Sequence, residues 1–169
     1  MIEYRDATVA DGEALDAMAQ AIWIETFAHG VSAEDAATYL AQAYGPDGKL
    51  LADLASGAAR FHLALADGRV VGYAKVNPPW LPDAEPGAMQ LSQIYVSSDH
   101  HGAGVGKALL DWAIATARTE GATALLLTVW EENHRAAAFY RKNGFEHVGD
   151  YAFAVGNQVD TDHIMRLTL

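Results

Sequence analysis

The chain has 169 residues, enough to bury the core of an ordinary domain. Hydrophobic residues make up 51% and charged residues 20%, a balance that excludes an intrinsically disordered chain. The absence of cysteine excludes disulfides, thiol nucleophiles and thiolate metal sites, and the net charge of −11 disfavours nucleic-acid binding because phosphates would be repelled.

The acidic charge has two interpretations, and the sequence leaves both open. A negative field attracts cationic small molecules or basic peptides, but it also keeps a protein soluble without serving any ligand. The N-terminus lacks the basic and apolar segments of a secretory signal, and no apolar run reaches membrane-spanning length. We therefore expect a cytoplasmic protein with no membrane partner.

The N-terminal part of the chain predicts one strand and three helices. Ile2–Arg5 is typical of a strand, and Ser32 with Asp35 resembles a capping box that begins a helix over residues 32–44. Pro46 fits the first turn of a third helix that ends near residue 56. The first helix begins at Asp11 and carries an apolar stripe of Leu15, Met18, Ala19, Ile22 and Trp23.

The remaining segments predict a mixed sheet. Asp67-Gly68 is a strong hairpin signal between strands Arg60–Ala66 and Arg69–Val76. Asn77–Gly87 contains four of the five prolines, so we expect a loop there, lying over the mouth of a substrate site. Four further strands are predicted at Met89–Ser97, Ala122–Trp130, Phe145–Val155 and His163–Leu169.

A glycine-rich turn, His100–Gly106, lies between a predicted strand and an amphipathic segment, Lys107–Glu120. Glycine is suited to places where the backbone takes a positive φ or closely approaches a ligand. The first amides of a helix have no intrahelical partner, and the helix dipole places positive charge beside them. The turn is therefore a candidate site for a phosphate or pyrophosphate.

Two common phosphate motifs do not fit this turn. A nucleoside-triphosphate loop needs a hydroxyl residue after Gly-Lys, but Gly106-Lys107 is followed by Ala108. A dinucleotide-binding turn needs G-x-G-x-x-G, whereas the spacing here is G-x-G-x-G. A tight connection without a ligand is the remaining alternative.

The turn resembles motif A of the GCN5-related N-acetyltransferase (GNAT) superfamily, a strand followed by Q/R-x-x-G-x-G/A. His101 then replaces Gln or Arg, and Gly104 and Gly106 occupy the small positions. Asn133–Phe145 resembles a second family segment, N-x-x-A-x-x-F-Y-x-x-x-G-F, and follows an apolar run typical of a buried strand. Together with their strands, the motifs extend the resemblance from residue 89 to about residue 153.

The resemblance implies an α/β fold with a mixed, mostly antiparallel central sheet flanked by helices. We expect one N-acetyltransferase domain over residues 1–169, with a splayed strand pair that receives acetyl-CoA as co-substrate and with no metal. The residues expected to contact acetyl-CoA are Ile94, Tyr95, Val96, His101, Gly102, Ala103, Gly104, Val105, Gly106, Lys107, Asn133, Tyr140 and Lys142.

The resemblance also implies direct attack of an amine on the thioester, with Tyr140 as general acid for the departing thiolate. A phenol stays protonated at neutral pH and can give up its proton as charge develops. Asn133 and Tyr140 are two helical turns apart and share one face. Each also has a purely structural interpretation, Asn133 as a helix N-cap and Tyr140 as a half-buried aromatic.

The general base is not identified by the motifs. In many relatives it is a Glu or His on the strand before motif A, where this chain has Gln90 and Ser92. Either the proton passes through water to a carboxylate elsewhere, or the substrate's own equilibrium supplies the free amine. Glu25 lies among aromatic residues at the end of the first helix and is the candidate base, with a solvated carboxylate as the alternative. Glu131 and Glu132 come next. The histidines show no helical ligand spacing, so no metal site is predicted.

A narrower resemblance concerns the substrate. Four short segments look like the PaiA-type spermine/spermidine acetyltransferases: Glu25–Phe27, Val129–Asn133, Phe153–Gly156 and Thr161–Met165. We therefore expect a small cationic amine such as a polyamine as partner, with a second copy of the chain as a candidate partner in a homodimer. The alternatives are a protein or peptide N-terminal acetyltransferase and a non-catalytic acetyl-CoA sensor.

Overall fold

The computed structural model describes all residues from Met1 to Leu169. One seven-stranded sheet has the order β1-β2-β3-β4-β5-β7-β6. Its strands are β1 (Ile2–Asp6), β2 (Arg60–Ala66), β3 (Arg69–Asn77), β4 (Met89–Val96), β5 (Ala124–Trp130), β6 (Glu146–Val155) and β7 (Gln158–Thr168). The longer helices are α1 (Gly12–Phe27), α2 (Ala33–Ala43), α3 (Lys49–Ser56), α4 (Val105–Thr119) and α5 (His134–Lys142).

Neighbouring strands are antiparallel except for the parallel pair β4 and β5. The predicted α/β fold with a mixed, mostly antiparallel sheet is thereby confirmed. The turn of the β2–β3 hairpin has a positive φ at both Asp67 and Gly68, as the sequence predicts. No helix is long and apolar enough to cross a lipid bilayer.

Helices cover both faces of the sheet. On one face, α4 and α5 pack against β5 in a core that includes Leu109, Leu127 and Tyr140. On the other face, α1 packs against β2 and β3 through residues such as Leu15 and Leu63. Because β5 is covered on both faces, its residues from Ala124 to Leu127 are all buried, which explains its unbroken apolar sequence.

Two predicted boundaries were wrong. Helix α3 begins at Lys49 rather than near Pro46, because the preceding turn is bound to α1: the backbone N–H of Gly45 donates to the Asp16 carboxylate at 3.1 Å. Strand β7 begins at Gln158 rather than at His163, because it pairs with β6 along the full length of a hairpin.

The tip of the β6–β7 hairpin is anchored on the N-terminus of α2. The backbone N–H of Asn157 donates to Oδ1 of Asp35 at 2.7 Å, while Ser32 caps the same helix end. Gly156 has a φ of 61°, and a β-carbon there would lie 2.4 Å from Oδ1 of Asp35. Only glycine fits this tip without displacing the contact.

We expect Gly156→Ala to lower the free energy of unfolding by about 2–3 kcal/mol, because a left-handed φ and a steric overlap add together. Gly57→Ala is the matched control, since Gly57 has a φ of 71° and no atom within 4 Å of the added β-carbon. Gly57→Ala should lower the free energy of unfolding by about 1 kcal/mol. Urea unfolding measures both changes, and equal losses would contradict the proposed anchoring.

Candidate active site

Strands β4 and β5 pair only at Met89–Leu125 and Gln90–Leu126 and then separate. The β3–β4 register shifts beside Lys75, which leaves Ser92 as an extra residue in a bulge. Beyond this point, the edge of β4 that faces β5 has no strand partner. The gap opens into a cavity of about 800 Å³ that is lined by Ile94, Tyr95 and Val96 among others.

One end of the cavity, which we call the glycine-turn end, lies at the start of α4. Gly104 has a φ of 82° and precedes the helix, whose first amides, from Val105 to Lys107, have no intrahelical acceptor. A β-carbon on Gly106 would lie 3.8 Å from the Phe139 ring, so the fold leaves room for it. This end is lined by His101, Gly102, Gly104, Gly106 and Lys107.

His101 connects two elements at the glycine-turn end. Its Nε2 lies 2.8 Å from the carbonyl oxygen of Val96, and Nη1 of Arg135 lies 2.7 Å from its Nδ1. Because a guanidinium only donates hydrogen bonds, Nδ1 accepts and Nε2 carries the proton. The imidazole therefore joins the end of β4 to α5 and holds Arg135 against the cavity.

Three of the predicted cofactor residues direct their side chains away from the cavity. Lys142 is exposed near the end of α5 and does not line the cavity, so its predicted contact is not supported. The side chain of Ala103 points to solvent, and that of Val105 packs in the core with α4. Ala103 and Val105 can therefore contact a cofactor only through backbone atoms. The N–H of Ala103 already donates to the carbonyl oxygen of His100 at 3.4 Å.

Helix α5 brings Asn133 and Tyr140 to the cavity together. The Asn133 side chain caps the helix by accepting from the N–H of Ala136 at 3.2 Å. Tyr140 is 7% exposed and packs against Phe139 and Phe145. Burial raises the pKa of the Tyr140 phenol above its ordinary value, so the hydroxyl carries its proton at neutral pH.

Gln90 and Ser92 hold the proline-rich loop. Oε1 of Gln90 accepts from the backbone N–H groups of Trp80 and Leu81 at 3.1 and 3.3 Å. The Ser92 hydroxyl accepts from Nε1 of Trp80 at 3.2 Å. The loop therefore borders the cavity through the Trp80 ring, and Gln90 and Ser92 hold it there.

The structure places Glu25, the predicted catalytic base, outside the cavity. Its side chain is exposed and does not line the cavity, whereas Trp23 and Phe27 of the same helix do. Two residues along an α-helix turn the side chain by about 200°, so Glu25 projects opposite Trp23. Glu131 and Glu132 are also exposed and outside the cavity.

The other end of the cavity, which we call the acidic end, has an aromatic wall. Trp23 and Tyr39 stack at 4.7 Å between ring centroids, Tyr39 lies 5.9 Å from Phe153, and Phe27 lies 6.0 Å from Trp130. These rings come from α1, α2, β5 and β6, which are distant in sequence. A large apolar surface is thereby left facing the cavity.

Two carboxylates of β7, Asp160 and Asp162, line the acidic end. They are two residues apart and therefore share one face of the strand. Asp162 is 8% exposed, and its pKa is raised to about 6, mainly by burial; the charges of Asp160 and Glu131 act in the same direction, while Thr128 opposes the shift. The sequence analysis did not predict this pair. The signal that could have identified it is a pair of acidic residues at alternating positions of a strand.

A third charged region of the cavity lies beside α3, where Lys49 and Lys75 both line the cavity. Lys75 is buried and donates to Asp53 at 2.6 Å, and Lys49 donates to the same carboxylate at 2.8 Å. Burial lowers the pKa of Lys75, although Asp53 opposes that change. Two ammonium groups and one carboxylate leave this part of the cavity with a net positive charge.

One cluster of metal-ligating side-chain types lies away from the cavity. Atoms of His147, Asp150 and His163 lie within 4.8 Å of one another because a bulge after His147 places residues three apart on one face. His147 and Asp150 are exposed and already paired at 2.8 Å, and the ring of His163 stacks on that of His147. We interpret this cluster as a hydrogen-bonded pair beside a stacked ring and assign no metal to it.

The parted strands, the helix N-terminus at their gap and the buried tyrosine of α5 define the N-acetyltransferase class. The profile of the acetyltransferase (GNAT) family matches residues 15–145, and the chain belongs to this family. An acetyl-CoA co-substrate fits both the family and the shape of the glycine-turn end.

Several relatives share large parts of the chain. An uncharacterized N-acetyltransferase from Lactobacillus delbrueckii subsp. lactis is 28% identical over 155 residues, which are 90% of this chain and 89% of the relative. An uncharacterized N-acetyltransferase from Mycobacterium tuberculosis is 36% identical over 99 residues, which are 59% of this chain and 60% of the relative.

Solved structures share the fold. PaiA N-acetyltransferase from Thermoplasma acidophilum, crystallised with coenzyme A, superposes with a TM-score of 0.78 at 23% identity over 100% of this chain and 99% of that one. A ribosomal-protein-alanine N-acetyltransferase from Brucella melitensis superposes with a TM-score of 0.71 at 27% identity over 99% of both chains.

We expect Gly106→Val to weaken coenzyme A binding roughly tenfold or more, because the new side chain blocks approach of the pyrophosphate to the first turn of α4. Room beside the Phe139 ring should leave thermal stability nearly unchanged. Ala103→Val places the same side chain on the same turn outside the cavity and should bind within about twofold of the parent. Calorimetric titration measures the affinities; equal values for both variants would show that the glycine serves only the turn.

Proposed function

We propose that this protein transfers the acetyl group of acetyl-CoA to a primary amine of a small cationic molecule, such as a polyamine. The observation that carries the proposal is the acidic end of the cavity, where Asp160 and Asp162 lie beside an aromatic wall. Carboxylates attract ammonium groups, and aromatic faces add cation–π attraction.

The glycine-turn end supports acetyl-CoA as the donor. A polyanion needs local compensation in a chain with a net charge of −11. The first amides of α4, Lys107 and Arg135 are the groups that would supply it. The open edge of β4 presents unpaired backbone groups, which suit the amides of a pantetheine arm.

Direct attack suits the groups that line the cavity. The free amine attacks the thioester carbonyl, and a backbone N–H near Val96 would stabilise the oxyanion. A C–N bond forms, the C–S bond breaks, and Tyr140 gives its proton to the sulfur. No covalent enzyme intermediate is needed, in keeping with a chain that contains no cysteine.

Two acceptor classes are candidates. The four PaiA-like segments of the sequence favour a polyamine. The Brucella relative is named for acetylation of a ribosomal-protein alanine, which favours a peptide N-terminus as the second candidate. The paired acids at the acidic end are better explained by an acceptor with several positive charges.

A panel of acceptors tests the proposal. Spermidine and spermine should exceed a neutral peptide N-terminus in kcat/KM by about tenfold, because only they pair charge with both carboxylates. The panel also includes an amino acid, because its free carboxylate would pair with Lys75 instead of with the two aspartates. Release of free coenzyme A measures turnover. A peptide preferred tenfold would overturn the polyamine, and no turnover with any amine would favour the sensor.

Tyr140→Phe tests the general acid. The variant keeps the ring that packs against Phe145 and removes only the proton donor. We expect kcat to fall roughly 10²-fold or more with little change in acetyl-CoA affinity. Phe139→Leu, which changes packing beside Tyr140 without touching its hydroxyl, is the comparison. A parental rate for Tyr140→Phe, with chemistry rate-limiting, would make Tyr140 a core residue only.

A further inference from the structure

The reaction needs a proton acceptor that the family motifs do not supply here. An alkyl ammonium has no lone pair and cannot attack a thioester until it loses a proton. Gln90 and Ser92 cannot accept that proton, since neither is a base and both hold the Trp80 loop. The candidates Glu25, Glu131 and Glu132 lie outside the cavity.

Only two carboxylates line the cavity, and their surroundings differ. Asp160 lies opposite Phe153 near the hairpin tip, beyond the end of β5, and accepts from Nε2 of Gln158 at 2.8 Å. Asp162 lies opposite Trp130, the last residue of β5. Strand β5 is one of the two strands that border the gap. Asp162 is also buried at 8% exposure, whereas Asp160 is half-buried.

We propose that Asp162 is the general base, taking the proton from the acceptor ammonium at the edge of the gap between β4 and β5. This inference rests on the proposed function and deepens it. The N–H bond of the ammonium breaks, its electron pair stays on nitrogen, and the carboxylate carries the proton until it is released to solvent. Asp160 has a separate role: its carboxylate pairs with a second positive charge of the acceptor.

The charges around Asp162 suit this role. Negative neighbours, Asp160 on β7 and Glu131 after β5, favour its protonated form, while Thr128 of β5 lowers its pKa. Tyr39 of α2 faces it as well, and burial together with the charge of Asp162 raises the pKa of that phenol to about 12. Tyr151 of β6 lies opposite in the ladder.

The expected pH dependence follows from the direction of the shift. Burial raises the pKa of Asp162 to about 6, so the carboxylate is ionised at neutral pH and still a stronger base than an ordinary aspartate. Base catalysis needs the ionised form. Activity should therefore rise as the pH increases through about 6 and level off above it.

The experiment compares kcat/KM against pH for the parent, Asp162→Asn and Asp160→Asn, with spermidine as acceptor. Asp162→Asn should lower kcat roughly 10²-fold or more and remove the rise near pH 6. Asp160→Asn should raise KM and retain the rise. Coenzyme A affinity and circular dichroism, measured on each variant, separate a loss of base from a loss of fold.

Two further measurements distinguish a base from a binding residue. An amine whose conjugate acid has a pKa below the assay pH needs no base, so the defect of Asp162→Asn should shrink to within about threefold with it. Thr128→Val removes the hydroxyl of a residue that lowers the pKa of Asp162, so the activity rise should move to higher pH.

A raised KM with an unchanged pH profile in Asp162→Asn would overturn the base assignment and leave the proposed acetyl transfer intact. Equal defects with the basic and the weakly basic amine would overturn it as well. A parent protein that acetylates no amine would instead overturn the proposed function, and the base with it.

Discussion

The parting of β4 from β5 is the constraint on which the rest of the site depends. Two residue pairs hold the strands together, and the bulge at Ser92 then turns β4 away. An interior strand edge without a partner leaves N–H and C=O groups that need a ligand. The gap also sets the position of both flanking helices, because α4 follows β4 and α5 follows β5.

The cavity separates opposite charges at its two ends. Free amides of a helix N-terminus, with Arg135 held by His101, favour an anion at one end. Asp160 and Asp162 beside aromatic rings favour a cation at the other. Under the proposed function, this division would bring an anionic donor and a cationic acceptor into one cavity, which Tyr140 of α5 also lines. For ligand binding, the positions of the acidic residues therefore matter more than the net charge of −11.

Much of the fold and half of the site were predictable because their signals are local. The glycines of the turn before α4, the N-cap at Asn133 and the hairpin at Asp67-Gly68 each depend on residues within a few positions. The apolar run of β5 reports burial on both faces without any knowledge of what covers it. Boundaries failed at Pro46 because a contact from Asp16, distant in sequence, holds the turn.

By itself, the sequence determined the order of the elements, the glycine-rich turn before α4, and the two positions of α5 that share a face. Tertiary structure alone decided which acids reach the cavity. Helical rotation turns Glu25 to solvent, whereas pairing with β5 and β6 buries Asp162 beside Trp130. A carboxylate acquires its pKa from desolvation and neighbouring charge, and both come from strands and helices far away in the chain.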